Sequence, residues 1–201
     1  MTKLSEAKIL GGIGALLSLL VVAPYAGPVV GLIGLVLVFI AIKYIADETK
    51  NQSIFKNYLM NFIFTIIAIV AVIVIMIAAF GLSGGFSWIT SLQGKNFTDF
   101  NSFWASFGTL IVGLILALLI AWVFIMLGAV YLRRSYISIT EQTNVHLFKT
   151  TGLVYLIGAV TLIIIIGVFI LIVAKILEIV SFFSLPENVS TAKELPKTDT
   201  H

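Results

Sequence analysis

Four long apolar blocks, Lys8–Ile42, Met60–Leu82, Phe103–Leu132 and Gly152–Leu185, alternate with short polar connections along the chain. Each is too long and too uncharged for a core helix of a water-soluble protein, and none shows the polar alternation of barrel strands. In hydrocarbon an unpaired backbone N–H or C=O costs several kcal/mol, so a spanning segment must be a helix or part of a closed barrel. The pattern therefore predicts an all-α, polytopic transmembrane helix bundle.

The first block, as one helix, would run roughly 50 Å, past a hydrocarbon core of about 30 Å. Pro24 and Pro28, flanking Tyr25-Ala26-Gly27, break it into a hairpin, because proline removes a donor and glycine permits a tight reversal. The first helix is expected over Ser5–Ala23, with Ser5 as N-cap and Glu6 near the positive end of the dipole. The second is expected over Pro28–Ala46, followed by the polar turn Asp47–Ser53. A third runs over Ile54–Leu82 and stops at Ser83-Gly84-Gly85. The stretch Phe86–Asn101 reads as an aromatic interfacial loop, and a fourth helix follows over Ser102–Ser135. Gly152–Leu185 is expected to make the fifth span, with Ile179–Leu185 either continuing that helix or lying along the interface up to Pro186. Residues 1–186 thus form the transmembrane helical domain and 187–201 a polar C-terminal tail.

Composition sharpens the picture. Hydrophobic residues make up 60% of the chain and charged residues only 10%, far below the roughly one quarter of soluble proteins. The net charge of +3 comes from basic residues gathered mostly at the ends of the apolar blocks, which is the mark of membrane orientation; no basic stripe on a polar fold invites nucleic acid. The absence of cysteine excludes disulfides, thiolate metal sites and thiol nucleophiles. A cleaved secretion signal is not expected, because the Pro24–Pro28 segment leads straight into another apolar helix.

Counting Lys and Arg beside the helix ends places Lys3, Lys8, Lys43, Lys50, Lys56, Arg133, Arg134 and Lys149 on the inner side. The N-terminus is then inside and, with five spans, the C-terminus outside, in a multi-pass protein of the cell membrane. The sequons at Asn96 and Asn188 fall outside, as candidate glycosylation sites, and the one at Asn51 falls inside.

The two inner connections look alike. Tyr44-Ile45-Ala46 leads to Ile54-Phe55-Lys56, and Tyr136-Ile137-Ser138 leads to Leu147-Phe148-Lys149. In each, phenylalanine is expected to wedge at the acyl boundary while lysine reaches anionic headgroups. A parallel repeat of this kind occurs in transporters and in proteins that are merely duplicated. Further, Gly11-Gly12-Ile13-Gly14-Ala15-Leu16-Leu17, Pro24-Tyr25-Ala26-Gly27, Leu147–Leu153, Tyr155–Ala159 and Ser181–Pro186 resemble an uncharacterised, largely archaeal family of small multi-pass membrane proteins. The resemblance spans nearly the whole chain. It implies an integral membrane location and carries over no functional residue.

Candidate sites are few. Gly11 with Ala15, Gly14 with Ser18, and Gly27 with Gly31 have the small-xxx-small spacing that lets helix backbones approach in lipid, serving either packing within the chain or a docking face. Lys175 and Glu178 are an ionisable pair inside an apolar run; interfacial anchoring by a snorkelling lysine is the expectation, a functional intramembrane charge the alternative. Lys56, Arg133, Arg134 and Lys149 are expected as further interfacial anchors, and the last three would suit lipid phosphates equally. For an ion path only Ser18, Asn61, Thr65, Thr109 and Thr161 offer polar groups within the blocks. His146 and His201 have no partner at metal-ligand spacing, and no catalytic triad, phosphate loop or dinucleotide motif occurs. The expectation is a protein without catalytic, cofactor or metal sites, surrounded by membrane lipids. It would serve as an accessory or scaffolding subunit that pairs with itself or with a membrane partner. A small-solute or ion transporter is the alternative, and a lipid-shaping role using the aromatic outer loop a third reading.

Overall fold

The computed structural model describes residues 2–22, 24–93 and 100–187. Its secondary structure is helical: α1 (Lys3–Leu19), α2 (Gly27–Glu48), α3 (Gln52–Leu82), α4 (Phe86–Ser91), α5 (Phe100–Thr143), α6 (His146–Thr161) and α7 (Ile166–Phe183), with 3-10 turns at Leu20–Val22 and Leu162–Ile164. Five helical stretches are long and apolar enough to cross a membrane: Val29–Glu48, Gln52–Leu82, Phe100–Thr143, His146–Ile164 and Ile166–Phe183. The number matches the sequence reading, but the set differs. The 17-residue α1 is not one of them, and the block Gly152–Leu185 contributes two.

That last difference is the main correction. The block is not one long helix. A 3-10 turn and Ile165, held at φ 64°, reverse the chain, and α7 packs back on α6. Gly158 and Gly167 make the reversal fit: a Cβ on Gly158 would stand 2.8 Å from the Leu171 side chain, and one on Gly167 would collide with the Gly158 carbonyl. The Thr2 hydroxyl donates to the Glu187 carbonyl, so the start of α1 and Glu187, just past the end of α7, lie together.

Smaller differences have local causes. Thr2, not Ser5, caps α1: its hydroxyl accepts from the Ser5 N–H at 3.3 Å. Helix α5 runs on past Ser135 to Thr143 because this stretch buries Tyr136 and Ile139, and the hydroxyls of Thr140 and Thr143 are satisfied by the carbonyls of Tyr136 and Ile139. The aromatic segment after α3 contains the short helix α4, too short to span. Residues 175–183 continue α7.

The chain divides into two compact units. Unit 1, residues 1–62 and 126–201, contains the large buried cluster, in which Leu4, Ile42, Ile54, Tyr136, Phe148 and Phe182 meet. Its α1–α2 hairpin closes on glycines: a Cβ on Gly14 would lie 2.7 Å from the Gly34 carbonyl, and one on Gly34 2.5 Å from the Ser18 amide, so only hydrogen permits that approach. Unit 2, residues 63–125, comprises the remaining parts of α3 and α5 with α4 between. There a Cβ on Gly113 would collide with Ala79, and Trp88 of α4 donates its indole N–H to the Ser106 carbonyl and sets its ring edge-on to Phe107.

Candidate functional site: a buried carboxylate in unit 1

Lys175 and Glu178 lie three residues apart on α7 and so share one face of that helix. The face turns inward. Glu178 is only 1% exposed, and its carboxylate collects donors from three helices. The Tyr136 hydroxyl on α5 donates to Oε1 at 2.8 Å; the Tyr155 hydroxyl on α6 and the Lys175 ammonium donate to Oε2 at 3.0 and 2.7 Å. A carboxylate taken from water loses several kcal/mol of solvation, which is recovered only by a partner charge and good hydrogen bonds. Both are present, and the pair is neutral as a whole.

The surroundings fix these groups. Tyr136 packs edge-on to Phe148 with ring centres 5.4 Å apart, and Phe148 likewise to Phe182 at 5.2 Å. The Phe182 ring occupies the space where a side chain on Gly11 would stand. One turn beyond Glu178, Ser181 meets Thr151 of α6 at 3.0 Å, and the Ser135 hydroxyl donates to the Ile54 carbonyl of α3 at 2.8 Å. Polar contacts thus tie α3, α5, α6 and α7 within one apolar interior.

The residues singled out from sequence fall into three groups. Gly11, Gly14, Gly27 and Gly31 all abut other parts of this chain: Gly27 and Gly31 sit against Val21, Ala15 is fully buried, and the Ser18 hydroxyl bonds the Ala15 carbonyl. Lys56, Arg134 and Lys149 are exposed, with Arg134 stacked over the Tyr131 ring at 5.4 Å, whereas Arg133 is half-buried. Their phenylalanine neighbours turn inward rather than wedging outward: Phe148 is fully buried and Phe55 packs on Phe39. Lys175 is tied to Glu178, which is buried in the protein. Asn96 and Asn188 lie outside the described residues. Of the polar candidates for an ion path, Thr161 bonds the Ile157 carbonyl of its own helix, and Thr109 lines an open apolar groove of about 740 Å³ in unit 2, with Ala78, Leu82, Trp104, Gly108 and Val112. Among the described residues no three His, Asp or Glu gather as a metal site. Tyr136 and Tyr155 were not apparent from sequence as site residues: they lie 42 and 23 positions from Glu178, and nothing local to them differs from an ordinary interfacial tyrosine.

Apolar helices of spanning length define an integral membrane protein of the all-α class. The chain belongs to the family described as "Protein of unknown function (DUF996)", whose model matches residues 30–176. It is also similar to "Uncharacterized protein MJ1644" of Methanocaldococcus jannaschii, at 34% identity over 189 residues, covering 94% of this chain and 97% of that protein. No solved structure matches it.

Proposed function

We propose that this protein is a non-catalytic accessory or scaffolding subunit of the cell membrane, with its basic end toward the cytoplasm. The observation that carries the reading is the outward surface of unit 2. Large aliphatic side chains, among them Ile69, Val70, Ile73, Val74 and Ile77, are exposed, while the described residues that are buried there are small. Such a surface suits lipid and a partner's apolar helix alike, and the groove beside Gly108 would seat one. The Glu178 carboxylate, already holding three donors, favours a structural role over acid–base chemistry. Gentle extraction followed by mass spectrometry of co-purifying chains tests the proposal. A constant partner, or a constant second copy, supports it; a solitary protein after cross-linking in intact membranes counts against it.

A second reading, a small-solute or ion transporter, is favoured by the same carboxylate, since ionisable groups inside spanning helices commonly mark ion routes. It predicts solute or ion flux in proteoliposomes that Glu178→Gln abolishes. Tight vesicles with either protein would remove it.

A further inference from the structure

We propose that the α6–α7 hairpin is re-entrant: it enters the bilayer from the basic end of the protein, and its isoleucine turn stops in the hydrocarbon, against lipid acyl chains. The proposal is independent of the accessory reading.

Chemistry at the turn is the first ground. Leu162-Ile163-Ile164-Ile165-Ile166 contains no polar side chain, yet its four isoleucines are 55, 58, 72 and 56% exposed. A turn that surfaced in water would display that aliphatic area at a cost of roughly 25 cal/mol per Å². The turns at the basic end differ in kind, and the α1–α2 turn has its left-handed position at Tyr25 (φ 66°), whose ring carries a hydroxyl. At the basic end, the left-handed positions are Lys50 (φ 54°) and Asn144 (φ 56°), residues that water solvates, whereas here the left-handed position is Ile165. A β-branched residue is disfavoured in that conformation, so isoleucine in place of glycine or asparagine points to a demand for apolar surface. The connection after α3 mixes Ser83, Gly84, Gly85 and Ser87 with the aromatic Phe86 and Trp88.

Backbone pairing is the second ground. Hydrocarbon admits a reversal only when its amides and carbonyls find partners within the protein. Two backbone bonds close the reversal: the Ile165 N–H donates to the Leu162 carbonyl at 3.1 Å and the Val168 N–H to the Ile165 carbonyl at 2.9 Å.

Length is the third. Lys149, exposed near the start of α6, marks the headgroup level on one arm. Counted from His146 the arm is long enough to cross, but from Lys149, taken as the headgroup level, the helical rise to Ile165 is about 24 Å against a core of about 30 Å. The returning arm ends at Glu187, beside Thr2. Both arms therefore start and finish at one end, and the turn falls short of the far headgroups.

The chain lacks cysteine, so single cysteines test this directly. Ser53→Cys, Ser87→Cys, Ile164→Cys and Glu187→Cys would each be probed with a membrane-impermeant maleimide in sealed right-side-out and inverted vesicles. The expected result is that Ser53→Cys and Glu187→Cys react from the same side, Ser87→Cys from the other, and Ile164→Cys from neither. A spin label on Ile164→Cys should then collide several-fold more with oxygen than with a water-soluble nickel chelate. Reaction of Ile164→Cys from the Ser87→Cys side would overturn the proposal, because the turn would emerge. Reaction of Glu187→Cys from that side would overturn it equally, because the segment would cross once.

Discussion

Unit 1 buries Tyr136, Phe148, Phe182 and a carboxylate; unit 2, among its described residues, buries nothing larger than Ala68, Ala79, Ala117, Ala121, Ser106 and two glycines. The spanning stretches of α3 and α5 are more apolar than those of α2, α6 and α7, so composition contributes to the difference. In the apolar windows of α3 and α5 only 11% and 17% of residues are buried, against 39% in α2. The lesson concerns what holds helices together in lipid, where burying leucine against leucine gains little over burying it against acyl chains. Unit 2 uses close backbone contact at small residues and partly exposed aromatic pairs, such as Trp88 with Phe107, and leaves its large aliphatic side chains exposed. Unit 1 instead builds an interior of its own, in which aromatic packing and one neutralised ion pair specify which helices meet.

The largest expected effect breaks that ion pair. Glu178→Leu leaves the Lys175 ammonium and two tyrosine hydroxyls without their acceptor, and should destabilise unit 1 by about 3–5 kcal/mol, read as a lowered unfolding midpoint in denaturing detergent. Combining it with Lys175→Met should restore much of the loss, since an apolar replacement of both partners is often neutral. Failure of the double variant to recover would show that the two residues do not act as a pair.

Next in size is Gly14→Leu, which drives a side chain into the Gly34 carbonyl and should cost about 3 kcal/mol by overpacking the α1–α2 contact. Its counterpart in unit 2 is Gly81→Ala. A Cβ there meets nothing within 4 Å, so the same assay should show no loss. Equal sensitivity of the two glycines would erase the distinction between the units.

Tyr155→Phe removes one hydrogen bond to the carboxylate while Tyr136 and Lys175 remain, and should lower stability by about 1.5–2 kcal/mol. Smallest is Ile77→Ala. With Ile77 67% exposed, stability should move by less than about 0.5 kcal/mol, while recovery of any partner docked on unit 2 falls. A stability loss as large as that of Tyr155→Phe would mean that Ile77 packs inside the protein.

Much of this was readable from the residues. The apolar blocks gave the helices, the Pro24–Pro28 punctuation gave the first hairpin, and the basic clusters marked the end at which Lys3, Lys56 and Lys149 gather. The second hairpin was hidden because its turn is written in isoleucine. A reversal normally announces itself with glycine, proline or polar residues, and here Gly158 and Gly167 stand inside the flanking helices, where small residues are ordinary in membrane proteins. Missing that reversal placed Glu178 at the far interface, when folding back carries it into the interior beside Tyr136 and Tyr155. The extension of α5 was also masked, since Arg133–Thr143 is polar by composition and helical through the burial of Tyr136 and Ile139.

The contrast between the two units is tested most directly by photolabelling from within the bilayer. Purified protein in liposomes would be irradiated with a carbene precursor dissolved in the acyl region, and the modified residues located by mass spectrometry. Dense labelling at Ile69, Val70, Ile73, Val74 and Ile77, with Leu4, Ile42, Ile54 and Phe148 untouched, is the predicted outcome. Comparable labelling of the two sets would contradict it, because unit 1 would then have no interior from which lipid is shut out.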